Sequence, residues 1–345
     1  MKKPTEESLE LARYIHDFLT DYAPVHKTNS KHTLKGYRDA MVLYLSFLEK
    51  ELQITSSDLG IKCFSLEYME KWIKWMKDSR NCSAQTCNIR LGALRTYLKY
   101  LSDRNLCYLS VYQAACTIPS MKVPKRKING LSKEAVKRLL EMPKTSTKTG
   151  RRDLVFMILL YSTAARLDEV LSLKIHDLHL ESEKPCISII GKGHKRRTIY
   201  IMPKVVSHLQ KYIGEYHGNE PDQDAYLFYS RNLGPYGKMS QPAIDKMLKK
   251  YAKAAHLICD EVPLGLHAHQ FRHAKASHWL EEGMNIVQIS FLLGHEQLET
   301  TMKYLDITTE KEWKALATME YEKDKNISKK WKNKDGSLID FCGLK

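Results

Sequence analysis

The amino-acid sequence predicts a mainly α-helical protein with a small antiparallel β-sheet, arranged as two domains. A chain of 345 residues is long for one domain and long enough to give each of two domains a core. Apolar residues recur at helical spacing over most of the chain, whereas strict alternation is confined to two short segments, CISII and RTIYI. The helical periodicity stops between about residues 117 and 131, in a basic stretch that contains two prolines and a glycine.

The first domain, residues 1–116, is predicted to be a bundle of four or five helices. Apolar positions repeat every three or four residues in TLKGYRDAMVLYLSFL and again in NIRLGALRTYLKYL. Thr33 and Ser83 are candidate caps of two of these helices. The basic side chains that follow the caps can lie against phosphates, although an ordinary solvated helix face is the simpler interpretation of any single one. These side chains are Lys35, Arg38, Arg90, Arg95 and Lys99.

Residues 117–131 are predicted to be a basic interdomain linker. Two prolines and a glycine interrupt regular structure there, and four cations lie close together: Lys122, Lys125, Arg126 and Lys127. Such a segment suits a strap that crosses a DNA backbone, and a merely flexible, solvated connector is the alternative.

The second domain, residues 132–321, is predicted to be helical with a small antiparallel sheet. Ser132 can cap its first helix, and a short break at residues 162–165 precedes Arg166, which stands at the start of a further helix. The two alternating segments flank GKGHKR, so a β-hairpin is expected with Lys192 at its loop and Lys195 and Arg196 just beyond. The Gly-Lys-Gly sequence lacks the glycine spacing and the Ser or Thr of a Walker motif, which argues against nucleotide binding.

Charge and composition restrict the class of partner. A formal net charge of +15 favours a polyanion, with nucleic acid as the first expectation and an anionic membrane surface as the second. The longest apolar run, residues 154–161, is far shorter than a membrane span, and the N-terminus lacks the apolar core of a signal peptide. The eight cysteines form no CxxC pair. We therefore expect a soluble, intracellular protein that contains reduced thiols.

Two further segments carry groups suited to phosphate chemistry. His269 and Arg272 are three residues apart on a predicted helix, so their side chains project from one face. A zinc site through His267, His269 and His273 is a weaker alternative, because no carboxylate completes it, and a capped structural histidine or a plain basic face also remain possible. No metal is predicted.

His295 and Tyr304 are separated by nine residues and would lie on opposite faces of one continuous helix. Gly294 is expected to end the first helix and Thr300 to cap a second, so that the chain can bring His295 back towards the tyrosine. Taken alone, this segment also resembles a noncatalytic helix-turn-helix.

Together these motifs resemble those of the tyrosine recombinase, or phage integrase, family. That family has an Arg in T-G-x-R-x-x-E, a Lys in a G-K-G hairpin, H-x-L-R-H, L-G-H, and a Tyr nine residues past the last His. The matching residues occur here in the same order: Arg166 with Glu169, Lys192, His269 with Arg272 and His273, His295, and Tyr304. Ala164 and Phe271 replace the usual glycine and leucine, and Leu305-Asp306 follows the tyrosine. Alanine tolerates a positive φ poorly, so its presence raises the question of the backbone conformation there.

The resemblance implies a two-domain recombinase with a DNA-clamping, core-binding first domain and a catalytic second domain. Tyr304 would attack a phosphodiester and form a 3′-phosphotyrosine link, with Arg166 and Arg272 holding the phosphate. His269 would help take the tyrosine proton, Lys192 would protonate the leaving 5′-oxygen with Lys195 as the fallback, and His295 would hydrogen-bond the phosphate. Glu169 and His273 would support the site. No cofactor is required, because one ester replaces another.

The expected partner is double-stranded DNA with inverted-repeat recombination sites, bound by a homo-oligomer that forms a dimer on each site and a tetramer in the synapse. Accessory recombination proteins are possible further partners. The resemblance also implies a cytoplasmic, nucleoid-associated protein that has no membrane partner. The expected role is integration, excision or transposition for a mobile element or phage. Type IB topoisomerase-like nicking and religation, or a DNA-binding regulator without catalysis, are the alternatives. The tail, residues 322–345, ends in apolar residues and is expected to dock on a neighbouring protomer, in cis, or not at all.

Overall fold

The computed structural model describes residues 3–124, 130–191, 193 and 195–304. The chain divides into two compact units, Met1–Arg126 and Lys127–Lys345. The predicted fold class is confirmed, because both units are built mainly of helices and the second contains a small antiparallel sheet of three strands. Within the described residues, no helix is long and apolar enough to cross a membrane.

The first unit is a helical bundle, as its apolar periodicity predicts. A π-helical stretch, Phe18–Lys27, continues the first helix. The helices are α1 (Glu6–Asp17), α2 (Lys31–Leu52), α3 (Leu66–Asp78), α4 (Ala84–Ser102) and α5 (Leu109–Thr117).

Aromatic side chains fill the core of this unit. Tyr44 packs edge-on against Trp72, and its hydroxyl donates to the carbonyl oxygen of Cys63 at 2.6 Å, which satisfies the buried polar group.

Ser83 caps α4, because its side chain accepts a hydrogen bond from the backbone N–H of Thr86. The predicted cap at Thr33 is wrong: α2 begins two residues earlier, at Lys31, and Thr33 lies inside its first turn.

The second unit contains eight helices and the sheet among its described residues. The helices are α6 (Lys133–Glu141), α7 (Lys148–Thr163), α8 (Leu167–Leu171), α9 (Pro203–Tyr216), α10 (Gln241–His256), α11 (Ala268–Glu281), α12 (Ile286–Leu293) and α13 (Glu299–Met302). The strands are β1 (Leu178–His179), β2 (Cys186–Ile190) and β3 (Arg196–Tyr200).

The predicted β-hairpin is confirmed, since β2 and β3 pair antiparallel and enclose residues 191–195. Alternate side chains on one face of the hairpin are buried. Ile187 lies opposite Ile199, and Ile189 lies opposite Arg197, so a guanidinium shares the inward face with isoleucines. The hairpin thereby brings a charged group from the sheet towards the helices.

The long apolar helix α7 and the helix α11 lie at the centre of this unit. Phe156 and Leu159 of α7 and Phe271 and Ala274 of α11 are almost fully buried in the same core. Ser132 caps α6, as predicted, by accepting from the backbone N–H of Ala135. Because α7 and α11 are fixed by this packing, the ends of these helices present their polar side chains in defined positions.

Candidate active site

The turn between α7 and α8 places Arg166. Helix α7 is capped by Ala164, whose φ of 49° and ψ of 24° are left-handed. The alanine at this position of the motif therefore does adopt a positive φ. Arg166 is the N-cap residue of α8, and its backbone N–H donates to Glu169 Oε2 at 2.7 Å. Its Nη1 donates to Glu169 Oε1 at 3.0 Å. The side chain of Arg166 keeps 39% of its surface exposed.

Glu169 is buried between two arginines. Arg197 donates through Nη2 to Glu169 Oε2 at 2.6 Å and through Nη1 to Oε1 at 3.1 Å. Burial would raise the pKa of the Glu169 carboxyl, but the hydrogen bonds from Arg197 and Arg166 outweigh it and lower that pKa below its ordinary value. The carboxylate is therefore ionised and holds both guanidinium groups.

Arg272, on α11, is buried with only 1% of its surface exposed. Its Nη1 donates to the carbonyl oxygen of Ala164 at 2.8 Å, and its Nη2 donates to the carbonyl oxygen of Leu293 at 2.7 Å. Burial and the nearby charge of Arg166 lower the pKa of Arg272 to about 10, so it remains a cation at neutral pH. One guanidinium thus joins the ends of α7 and α12.

His295 follows the left-handed Gly294 that ends α12, as the sequence predicts for that glycine. Arg272 Nη2 donates to His295 Nε2 at 3.0 Å, and His295 Nδ1 lies 2.8 Å from Thr301 Oγ1. Burial and the charges of Arg272 and Arg166 lower the pKa of His295 to about 4, so the ring is neutral. Since an arginine can only donate, the ring proton lies on Nδ1 and Nε2 is an acceptor.

The predicted helix cap at Thr300 is wrong, because α13 begins at Glu299 and Thr300 lies inside it. The adjacent residue Thr301 instead meets His295 through its hydroxyl. The segment after Gly294 is therefore fixed by a side-chain contact to the histidine rather than by a threonine cap.

Tyr304 is 2% exposed and its ring packs in a small apolar cluster with Ala276 and Leu293. Its hydroxyl lies 2.7 Å from His273 Nδ1. Burial raises the pKa of Tyr304, whereas burial and the neighbouring His269 lower the pKa of His273 to about 4. Both groups are neutral at pH 7, and the phenol, which is the stronger acid, donates to the imidazole.

His269 lies beside His273, with ring centroids 4.3 Å apart in an edge-to-face arrangement. Burial, followed by the charges of Arg272 and Arg166, lowers the pKa of His269, so this ring is also a neutral proton acceptor. The sequence pointed to His269 as the partner of the tyrosine proton, but the hydrogen bond that the structure records is to His273.

An open cleft of about 620 Å³ adjoins these residues. Arg166 and His295 line it together with two exposed cations from the hairpin, Lys195 and Arg196. Lys195 Nζ lies 2.8 Å from Glu296 Oε1. Lys192 lies outside the described residues. The start of α8, the hairpin and the turn after α12 therefore supply cationic or hydrogen-bonding groups to one surface.

The candidate DNA-binding cations of the first unit differ in their surroundings. Lys35, Arg38 and Lys122 are exposed. Arg90 donates to the carbonyl oxygen of Gly36 at 2.9 Å, and Arg95 donates to the carbonyl oxygens of two residues near the end of α5, Ala115 and Ile118. The last two arginines thus hold the bundle together. Lys125, Arg126 and Lys127 lie outside the described residues.

Two residues of the site were not found from the sequence. Arg197 was not predicted as a site residue, although the adjacent Arg196 was. The alternation of RTIYI places Arg197 on the same face as Ile199 and could have indicated that it is buried. Thr301 gave no signal, because its contact with His295 depends on how the chain turns after Gly294.

Among the described residues, no group of three His, Cys, Asp or Glu side chains could hold a metal ion, so the weaker zinc alternative finds no support there.

A helical unit is followed by a mixed unit in which arginines and histidines lie close to a buried tyrosine, and this arrangement is that of a tyrosine-type site-specific DNA recombinase. The model of the phage integrase family matches residues 129–311, which is more than half of the chain. The chain belongs to that family.

Relatives agree with this assignment, and a solved structure has a similar fold. The chain is 28% identical over 301 residues to tyrosine recombinase XerC of Chlamydia caviae, covering 84% of this chain and 92% of the relative. It is 29% identical over 281 residues to tyrosine recombinase XerA of Pyrococcus horikoshii, covering 81% and 85%. The fold is similar to that of XerH bound to palindromic difH substrate in a post-cleavage complex, with a TM-score of 0.72 and 19% identity over 93% of this chain and 98% of that one.

Proposed function

We propose that this recombinase cuts and rejoins DNA strands through a 3′-phosphotyrosine link at Tyr304. One observation carries the proposal, and it concerns two adjacent residues of α11. His273 contacts the hydroxyl of Tyr304, and Arg272 contacts the imidazole of His295. A nucleophile and a cationic cradle are thus held by the same helix, which phosphodiester transfer requires.

The cradle suits a phosphodiester because its positive charge is only partly offset. Arg166 and Arg272 are near enough for the charge of Arg166 to lower the pKa of Arg272. The negative charge of Glu169 acts on both: it forms an ion pair with Arg166 and raises the pKa of Arg272. A phosphate between the two guanidinium groups would relieve their repulsion and accept planar, two-pronged hydrogen bonds. The negative charge that builds up during the reaction would be stabilised further.

Tyr304 attacks phosphorus through its hydroxyl oxygen, and the bond from phosphorus to the 5′-oxygen breaks. The phenol is protonated, because burial raises the pKa of Tyr304, so a proton acceptor is needed. The neutral imidazole of His273 contacts the hydroxyl and can receive that proton, and His269, whose ring lies beside His273, is the second candidate acceptor. Lys192 would return a proton to the leaving 5′-oxygen, with Lys195 at the cleft as the alternative donor. A 5′-hydroxyl from a partner strand then reverses the step.

Two side chains must change partners for this reaction. Tyr304 is buried, whereas the cleft lies on the exposed side of Arg166, so the tyrosine leaves its apolar cluster before it attacks. His295 Nε2 accepts a hydrogen bond from Arg272, so the ring donates to a phosphate oxygen only after it turns or gains a proton. The phosphate itself competes for Arg272 and so favours this exchange.

The substrate proposed is double-stranded DNA with inverted-repeat sites, bound by a dimer at each site and a tetramer in the synapse. Residues 1–116 would form the clamp domain, residues 117–131 the strap and residues 132–321 the catalytic domain. The solved neighbours include a Tn1549 transposon integrase in complex with transposon right end DNA, with a TM-score of 0.63 and 16% identity, which supports a role in a mobile element. The tail, residues 322–345, lies outside the described residues, and its docking stays a proposal.

The covalent link is tested with a pool of duplexes that carry randomised inverted-repeat arms and a nick near the centre. Loss of the short fragment beyond the nick traps the adduct, which survives denaturing electrophoresis and can be mapped by mass. We expect the wild type to form an adduct at residue 304 and Tyr304→Phe to form none. The matched control, Tyr200→Phe, removes an exposed hydroxyl from the same unit and should behave as the wild type. An adduct formed by Tyr304→Phe would refute the proposal.

The sequences recovered in those adducts define the site for a second assay. Two such sites, each with a distinct label, are placed on separate molecules. Recombination joins the two labels, whereas a topoisomerase-like enzyme relaxes supercoils and rejoins each strand to its original partner. Relaxation without joined labels would favour that alternative.

A further inference from the structure

We propose that Arg197 is a positioning residue that fixes the catalytic arginine Arg166 and leaves its charge available to the scissile phosphate. The inference rests on the proposed function and deepens it. Arg197 borders the cleft but is only 8% exposed, and its three guanidinium nitrogens donate to Glu169 and to the carbonyl oxygen of Leu292, so it acts through these neighbours.

The contacts of Arg197 join three parts of the second unit. Its Nη1 and Nη2 both donate to the carboxylate of Glu169, at 3.1 and 2.6 Å, and its Nε donates to the carbonyl oxygen of Leu292 at 2.9 Å. Glu169 belongs to α8, Leu292 to the end of α12, and Arg197 to the hairpin. One guanidinium therefore sets the spacing of the elements that carry Arg166 and His295.

The space around this guanidinium is closely fitted. A Cβ atom added at Gly294 would lie 3.1 Å from Arg197 Nη1, and one added at Gly191 would lie 3.2 Å from the same atom. Both glycines allow the arginine to lie against the backbone on either side of the cleft. A side chain that is shorter or differently shaped would leave the turn before His295 without its support.

The charge of Arg197 has a separate consequence. Glu169 is the carboxylate that Arg166 contacts, at 3.0 Å, and Arg197 binds the same two oxygen atoms. One negative charge is thus shared by two guanidinium groups, so Arg166 is not neutralised by its partner. Without Arg197, Glu169 would pair with Arg166 alone and would weaken the attraction of that arginine for phosphate.

Lysine cannot replace this arginine, because one ammonium group cannot bind both carboxylate oxygens and the carbonyl of Leu292 in the same geometry. We therefore expect Arg197→Lys to lower the single-turnover cleavage rate at saturating DNA by about 100-fold, the effect of misplacing a reacting group by about 1 Å. The dissociation constant for the DNA duplex should be unchanged, because lysine keeps a positive charge beside Glu169 and only the geometry is lost.

The matched control is Arg152→Lys, which disrupts another buried arginine–carboxylate pair, with Asp153, at the far end of α7. It should lower the melting temperature as Arg197→Lys does but leave the cleavage rate unchanged. In an Arg166→Lys background, Arg197→Lys should add little further loss of rate, because it acts through Arg166. Wild-type cleavage by Arg197→Lys, an equal loss in the control, or losses that multiply in the double variant would overturn the inference.

A second measurement needs no cleavage and separates this inference from the proposed function. Orthovanadate, which takes the geometry of a pentavalent phosphate, should raise the melting temperature of the wild type and of Arg152→Lys but not of Arg197→Lys. If the wild type forms no adduct with DNA, the proposed function fails while the orthovanadate shifts still decide the role of Arg197. An equal shift in Arg197→Lys, or none in the wild type, would contradict it.

Discussion

At the scale of single residues, Ala164 shows how the site departs from the usual conformational preferences. It is fully buried, ends α7 in the left-handed region, and its carbonyl oxygen accepts a hydrogen bond from Arg272. An L-residue in that conformation is destabilised by about 1–2 kcal/mol relative to the right-handed one. The contact with Arg272 and the burial of the alanine methyl group offset this strain.

Substitutions at Ala164 should therefore affect the free energy of unfolding asymmetrically. Ala164→Gly relieves the backbone strain but removes a buried methyl group, a loss of about 0.8 kcal/mol, so the net change should stay within about 1 kcal/mol. Ala164→Val adds a β-branched side chain in a buried left-handed position and should destabilise the unit by at least about 2 kcal/mol. Urea unfolding of both variants measures the difference, and a stable valine variant would contradict the strain argument.

Whether the role of a residue could be predicted from the sequence depends on whether its contacts are local. Arg166 and Arg272 could be chosen from local motifs, because the motif and the chemistry coincide. The hydrogen bond between His273 and Tyr304 joins α11 to the end of the described chain, and no local pattern specifies that meeting. The tautomer of His295 likewise follows only once Arg272 is seen to donate to Nε2.

At the scale of elements, the hairpin and the end of α12 were predictable, whereas their junction was not. Alternation and the GKG loop indicate β2 and β3, and Gly294 indicates a helix end. Thr300 was wrongly expected to cap a helix, because several polar residues in that segment satisfy the same preference and tertiary contacts select among them. The contact of Arg197 with Leu292 joins elements far apart in sequence and has no local signal.

Gly294 lies between α12 and His295, beside Arg197 of the hairpin. Replacing it by alanine, with a suitable control, should distinguish the effect of backbone strain from the effect of a clash with Arg197. Its φ is 65°, so Gly294→Ala introduces strain of about 1–2 kcal/mol and also presses the new Cβ atom against Arg197. Gly283, with φ of 89° and open space around its Cα, provides the matched control. Gly283→Ala should lower stability similarly but keep the cleavage rate, whereas Gly294→Ala should lower both. Single-turnover cleavage and thermal melts measure this, and equal cleavage by the two variants would refute it.

At the scale of the whole molecule, the chain has separate cores. The aromatic-rich cluster around Trp72 contains residues of the first unit alone, and the cluster around Phe156 and Phe271 contains residues of the second unit alone. The sequence indicated two domains from the loss of periodicity between about residues 117 and 131, and the chain divides into its two units after Arg126. Composition alone could not give that position, because charge and prolines extend over the whole segment.

Because a unit with its own core can fold by itself, fragments 1–126 and 127–345 should each fold when they are produced separately. Each should show a helical circular dichroism spectrum and a cooperative thermal transition. The control fragment, residues 127–260, lacks α11 and therefore loses Phe271 and Ala274 from its core, so it should melt without cooperativity. A noncooperative fragment 1–126 would mean that its aromatic core depends on the second unit, and would contradict the independence inferred from the cores.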